Sequence, residues 1–123
     1  MTEPEHLPEH IRLAQSFAAW IDADPDWERL APVPFSTVCF RARPRAWPAD
    51  DPRLNPLNER LLEAVNATGE ILLSHDVLGG RYVLRFAVGH LRTEERHARR
   101  AWEILRAEAL RLGAAPTVVA RRG

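Results

Sequence analysis

Glu70 to Trp102 reads EILLSHDVLGGRYVLRFAVGHLRTEERHARRAW, two alternating apolar runs about Gly79-Gly80 followed by a long charged helix. A Gly-Gly pair suits a two-residue primed turn, because both central positions of such a turn need positive φ. That turn sets the register: Val77 faces Tyr82, His75 faces Leu84, Leu73 faces Phe86 and Ile71 faces Val88. Side chains alternate across a strand, so these mostly large, apolar residues share one side of the ribbon, its core side. The reverse side carries Leu72, Ser74 and Asp76 against Ala87, Arg85 and Val83. Half apolar, with one arginine at its centre, it is a surface built to meet more than water.

Outward from the hairpin, Thr93 can cap the last helix, whose first turn holds Glu94 and Glu95, the charge that a helix N-terminus prefers. Ala98, Ala101, Trp102, Leu105, Ala109 and Leu112 form its apolar stripe, Arg96, Arg99, Arg100 and Arg106 its solvated faces, and Gly113 its end. Upstream, Asn55 as N-cap and Pro56 at the first helical position open a helix over about 56–67, with Leu57, Leu61, Leu62 and Val65 inward and Gly69 as its stop. Before it, FSTVCFR at 35–41 has the β-branched and aromatic content of a strand, and Trp27 to Ala31 suits a short one bent away by Pro32-Val-Pro34. Pro44, Pro48 and Pro52 make 42–54 a long connector. At the start, Pro8 and the spacing of Leu13, Ala14, Phe17, Trp20 and Ile21 predict a helix over about 8–22, ended by Asp22-Ala-Asp-Pro-Asp26. The order helix, strand, strand, helix, strand, strand, helix points to an α+β two-layer sandwich: a small antiparallel sheet of three or four strands with three helices on one face. One domain accounts for residues 1–123, with a core over about 9–112 and a loose tail over 113–123.

The chain's 123 residues suffice to bury about two thirds of the unfolded surface without staples. Seventeen basic and seventeen acidic residues cancel, which gives no overall attraction for nucleic acid. No apolar run reaches membrane-spanning length and the acidic opening MTEPEHLPEH lacks signal-peptide character, so the expected compartment is the cytoplasm. Every one of the 17 basic residues is arginine. Without lysine, no side chain can form the Schiff base that pyridoxal enzymes use.

Smaller patterns point to little chemistry. His6 and His10 are four apart but straddle Pro8, which suits surface histidines better than a metal pair, and no metal site is expected. Cys39, between Val38 and Phe40, reads as a packed thiol that has no partner for an internal disulfide. Asn66-Ala-Thr68 matches a glycosylation acceptor only in form, and His90 and His97 read as solvated. His75 falls on the core side of its strand, where a buried, hydrogen-bonded histidine is favoured over a general base. Phosphate-cradling glycine motifs, nucleophile elbows and paired cysteines are absent from the sequence.

Several motifs in order carry a resemblance. Gly80-Arg-Tyr-Val-Leu-Arg-Phe-Ala-Val88, Leu91-Arg-Thr-Glu-Glu95, His97 and Ala101-Trp102-Glu103 resemble the C-terminal signature of the group II pyridoxal-phosphate-dependent decarboxylases, which act on aromatic amino acids, tyrosine, histidine or glutamate. FSTVCFR at 35–41, Asn58 through Asn66, and HIRLAQSFAAWIDADP at 10–25 are similar to the same family in the same order. The resemblance covers roughly 9–112 and is closest to the aromatic-amino-acid branch.

It implies the small C-terminal domain of that family alone, a four-stranded antiparallel sheet with helices on the side away from a large cofactor-binding domain. The family's Schiff-base lysine, ring-stacking histidine, pyridine-nitrogen aspartate and mobile loop belong to the large domain, so no catalytic and no cofactor-binding residue is implied here. Pyridoxal phosphate is the cofactor of the full-length family, and this chain alone is expected to bind none. Arg85 is the one position carried over, as a substrate-carboxylate ligand in complex with a large domain. Asp76 is diagonal to it, at a position where close relatives are expected to carry threonine, so Arg85 either serves a carboxylate or pairs with Asp76 or a backbone carbonyl. The opening MTEPEHLPE also departs from the family's continuation into its large domain, as a truncated gene or a fragment would. Two functions fit. One is a decarboxylase piece, inert alone, that helps convert an aromatic L-amino acid to its amine with a large domain. The other is a free-standing dimerisation or protein-binding module, most simply a homodimer, that uses the open sheet face.

Overall fold

The alternation around Gly79-Gly80 does produce a tight hairpin: both glycines have positive φ, +59° and +81°, as a primed turn requires. In the computed structural model, which describes residues 9–30, 37–87 and 95–113, the elements run α1 (Glu9–Ala23), β1 (Trp27–Arg29), β2 (Thr37–Ala42), α2 (Leu54–Ala67), β3 (Ser74–Leu78), β4 (Arg81–Ala87) and α3 (Glu95–Arg111). Among the described residues the strands form one sheet in the order β1-β2-β4-β3, antiparallel throughout. His6, Pro8, Pro32-Val-Pro34, Phe35, Ser36, Val88, His90, Leu91 to Glu94 and the tail from Ala114 lie outside the described residues.

The apolar stripes expected from the sequence face the core, with Trp20, Leu62 and Leu112 only half-buried at its rim. Leu13, Ala14, Phe17 and Ile21 of α1, Leu57, Leu61 and Val65 of α2, and Ala98, Ala101, Trp102, Leu105 and Ala109 of α3 are all buried. They close on Val38, Phe40 and Ala42 of β2, Leu84 and Phe86 of β4 and Trp27 of β1. Phe17 is the hub. Its ring meets Phe86, Phe40, Trp102 and Trp20 edge-on at centroid distances of 4.8, 5.5, 5.9 and 6.1 Å, the arrangement that aromatic quadrupoles favour. Trp102 also reaches Trp27 at 5.1 Å, which ties α3 to the far edge of the sheet. This is the α+β architecture expected, with four strands.

Two expectations fail at the hairpin. The Val77–Tyr82 and His75–Leu84 pairs form as expected, yet the ladder starts at Ser74–Arg85, so Leu73 does not pair with Phe86. His75 is not buried: it is exposed and lies flat on Tyr82, with ring centroids 4.6 Å apart and planes within 7°. The reason is lateral. The helices pack over β1, β2 and β4, and β3 extends past them, so even the core-side Val77 stays 57% exposed.

Asn55 also departs from expectation. The helix starts at Leu54 with no side-chain cap, and Asn55 works elsewhere. Its Nδ2 donates to the Gly80 carbonyl at 3.0 Å and its Oδ1 accepts the Tyr82 N–H at 2.9 Å. One turn on, buried Asn58 accepts the Ala42 N–H at 2.8 Å and donates to the Ala42 and Leu54 carbonyls, each at 2.9 Å. The β2–β4 ladder ends at Phe40–Leu84, and the next bonded pair would be Ala42–Tyr82. Instead, two asparagine amides of α2 enter the gap and satisfy both sides. Asn66 repeats the device at the other end of the helix, accepting the Leu73 N–H at 2.8 Å and donating to the Leu73 carbonyl at 3.0 Å. This satisfies the backbone of Leu73, the residue just before β3, and also occupies the amide of the apparent glycosylation acceptor.

No helix among the described residues is long and apolar enough to cross a membrane. Replacing Asn58 by Ala strands buried backbone groups of Ala42 that water cannot reach. We expect it to lower unfolding free energy by roughly 3 kcal/mol in a urea titration, with Asn58→Asp about as damaging because a carboxylate cannot donate.

Candidate functional site

The sheet face turned away from the helices is built from alternate residues of four strands, Glu28, then Thr37, Cys39 and Arg41, then Val83, Arg85 and Ala87, then Ser74 and Asp76. It divides into a closed end and an open end. At the closed end Arg41 is 1% exposed, although arginine is seldom buried unless paired. Its Nε and a terminal nitrogen reach Oε1 of Glu28 at 3.0 and 2.9 Å, and the carbonyl of Ala49 accepts a further bond at 2.9 Å. That last contact draws the proline-rich connector, Arg43 to Arg53, over this end of the sheet.

The open end centres on Arg85. Register places Cys39 on one side of it and Ser74 on the other. Arg85 is exposed and, among the described residues, its side chain makes no hydrogen bond or ion pair. Asp76 stands across from Val83 rather than Arg85, and its carboxylate accepts the Val77 N–H at 2.8 Å, so the diagonal ion pair is not formed. Burial pushes the half-buried Cys39 thiol above its ordinary pKa, an effect that the nearby Arg85 charge opposes and Asp76 reinforces. A protonated thiol is a poor nucleophile, so the packed-thiol reading stands. Leu72, with the same strand parity as Ser74 and Asp76, is 83% exposed beside this patch. Chemically the arrangement offers a planar fork of donors and an apolar anchor, with no activated base or nucleophile.

Other candidates do not converge on it. His10 is exposed on α1, His97 is exposed on α3, and no group of three or more metal-ligating side chains occurs among the described residues. On the helical layer, a cleft of about 570 Å³ is lined by Trp20, Asp24, Asp26, Arg45, Arg99 and Arg106. Its arginines are engaged: Arg45 forks onto Asp26 at 3.0 and 3.1 Å, Arg106 lies 3.5 Å from Asp24 and 5.6 Å over Trp102, and Arg99 pairs with Glu95 and sits 4.9 Å over Trp20. Arg45 holds the Asp26 carboxyl below the usual carboxylate range. These contacts lace α3 and the connector to the α1–β1 turn. The α3 arginines are exposed, as their place on the helix's polar faces implies, but Arg100 also forks onto Glu70 at 2.9 and 3.0 Å, a partner thirty positions away in sequence.

Comparison with known proteins gives one answer. No family model matches the chain. It is 42% identical over 110 residues to tyrosine decarboxylase 1 of Narcissus pseudonarcissus, covering 86% of this chain and 21% of that protein. Phenylacetaldehyde synthase of Arabidopsis thaliana is 39% identical over 108 residues, 88% of this chain and 22% of the relative. Among solved structures, Oryza sativa TDC with PLP and tryptamine superposes with a TM-score of 0.80 at 36% identity, over 88% of this chain and 23% of that one. The chain therefore spans about a fifth of the length of the curated relatives it matches.

The two arginines of the second face separate in a stability measurement. Arg85→Ala should leave the urea midpoint within about 0.5 kcal/mol of the parent, as expected for an exposed side chain without a partner. Arg41→Ala, which strips Glu28 of its two close donors, leaves it only the 3.9 Å contact with Arg43 and orphans the Ala49 carbonyl, should cost roughly 3 kcal/mol.

Proposed function

From its kinship with the C-terminal segment of the group II pyridoxal-phosphate-dependent decarboxylases, we propose that this chain is the small domain of an aromatic-amino-acid decarboxylase-like protein. The reading rests on similarity over 82–88% of the chain at about a fifth of the relatives' length. In this reading the domain works against a large cofactor-bearing domain and is inert without it. Pyridoxal phosphate, when bound by such a domain, supplies the electron sink for decarboxylation. This chain does not fit the cofactor itself, since it has no lysine to carry it and no glycine-rich loop to cradle its phosphate.

What the chain contributes is a surface and one charge. Its open sheet end, with Leu72 as the apolar anchor, is the side that docks, and Arg85 orients the substrate carboxylate from the edge of the joint site. The absence of any ion pair on Arg85 among the described residues is the observation that favours this role, because a guanidinium already committed to Asp76 would offer its fork to nothing. Relatives 39–42% identical carry the names of tyrosine and tryptophan decarboxylases and of an aldehyde synthase, which supports a reading in which the side chain accepted and the outcome of the reaction are set outside this segment. The single, partly buried cysteine is in keeping with a cytoplasmic setting.

The exposed Leu72 supports a second reading, a free-standing module that pairs with its own copy through the open face. Mixing the chain with a separately expressed large domain of a related decarboxylase tests both. Restored amine production from an aromatic L-amino acid is the expected result, and Arg85→Ala in the mixture should raise KM by roughly tenfold or more, the value of a charge-assisted hydrogen bond. A stable homodimer that ignores the large domain would sink the first reading in favour of the second.

A further inference from the structure

The outer edge of β3 follows a simple backbone logic. Leu78 and Arg81 flank a two-residue turn and form a hydrogen-bonded pair, so by alternation Asp76–Val83 and Ser74–Arg85 are bonded pairs, while His75 and Val77 direct their N–H and C=O groups away from β4. Among the described residues no strand lies on that side. An open edge of this kind is a template for another chain, and here it is flanked by exposed Val77 and Leu72.

Two side chains occupy the edge. Asn66 takes both backbone groups of Leu73 at its start, and the Asp76 carboxylate takes the outward N–H of Val77 at 2.8 Å. Only one self-pairing register uses both remaining outward residues. With Leu73 occupied, setting His75 against His75 of a second copy would waste Val77 against Leu73, whereas setting His75 against Val77 of the second copy pairs both residues twice about a twofold axis. The faces match in that register, with both helical layers on one side of a continuous eight-stranded sheet. At its centre, however, Asp76 stands directly opposite Asp76 of the second copy. Like charges directly opposite on neighbouring strands are destabilising.

We propose that Asp76 is the guard of this edge, and that the surface it closes is a strand-pairing site for a second copy of the chain in the His75–Val77 register. The single carboxylate acts twice: it consumes the hydrogen-bond donor that the register needs, and it puts its charge on the twofold axis of the dimer. This assigns the residue a role that neither a pair with Arg85 nor the helical core accounts for. It is separate from the docking face, because edge pairing leaves that face uncovered.

The test is sedimentation of the full 123-residue chain over a wide concentration range for the parent, Asp76→Ala and the double variant Asp76→Ala/Val77→Pro. Asp76→Ala should gain a dimerisation step at least about tenfold tighter than any the parent displays, given an opposed charge pair and a masked donor on each side. Its His75 and Val77 amides should become protected from hydrogen exchange. Proline at 77 removes only an outward N–H, which edge strands tolerate, so the double variant should keep its circular dichroism and lose the new step. The proposal is overturned if Asp76→Ala sediments like the parent at every concentration, or if its added association survives Val77→Pro.

Discussion

Three asparagine amides on one helix decide how this sheet ends. Strands leave N–H and C=O groups wherever a ladder stops, and a buried group without a partner costs as much as a lost hydrogen bond. The β2–β4 ladder stops one bonded pair short of the hairpin turn, where the Ala42 side is buried away from water and the Tyr82 side lies nearer the surface. Asn58 and Asn55 enter there from α2 and pair with Ala42 on one side and with Tyr82 and Gly80 on the other. A primary amide is suited to the task because it presents an acceptor and a donor in one plane, as a peptide unit does, and has a second N–H to spare. The helix is thereby keyed to the sheet by hydrogen-bond direction as well as by apolar packing, which fixes its height and rotation.

From that keying the two surfaces follow. α2 lies over β4 and β2, with α1 over β1 and β2, so the helical layer covers three of the four strands and leaves the edge strand β3 overhanging. His75, Val77 and the outward side of β3 are exposed as a consequence, although their strand parity marks them as core. The connector that runs from β2 into α2 must return across the opposite face, and Arg41 holds it there through Ala49. One end of the second face is closed by this loop and the other, around Arg85, is left open.

Much of this was legible in the sequence, and the failures share one cause. Period and turn chemistry are local, so the helices, the glycine turn, its register and the inward stripes could be read off. What escaped was lateral position. Alternation says which way His75 points, yet nothing in its neighbourhood reveals whether a helix lies above it. The asparagines failed in the same way: Asn55 has the residue type and the following proline of an N-cap, and only the distant Gly80 and Tyr82 reveal its actual use. Arg41 and Arg85 occupy alternate-side positions on neighbouring strands and are indistinguishable as letters. Only the path of the connector separates a buried structural cation from an exposed one.

That separation bears on what a small domain of this kind must accomplish. A charge that is to meet a partner has to stay unpaired beforehand, and an exposed cation beside an exposed acid on one face ordinarily finds it. Here the acid is drawn aside. Asp76 spends its hydrogen bond on the neighbouring backbone N–H at the sheet edge, across from Val83 rather than Arg85, and the guanidinium fork is left unfilled. A threonine at the same position would leave Arg85 equally unpaired but would place no charge at the edge. The aspartate thus reconciles two demands that compete on a small open sheet, an available cation on the face and an edge that does not recruit its own kind.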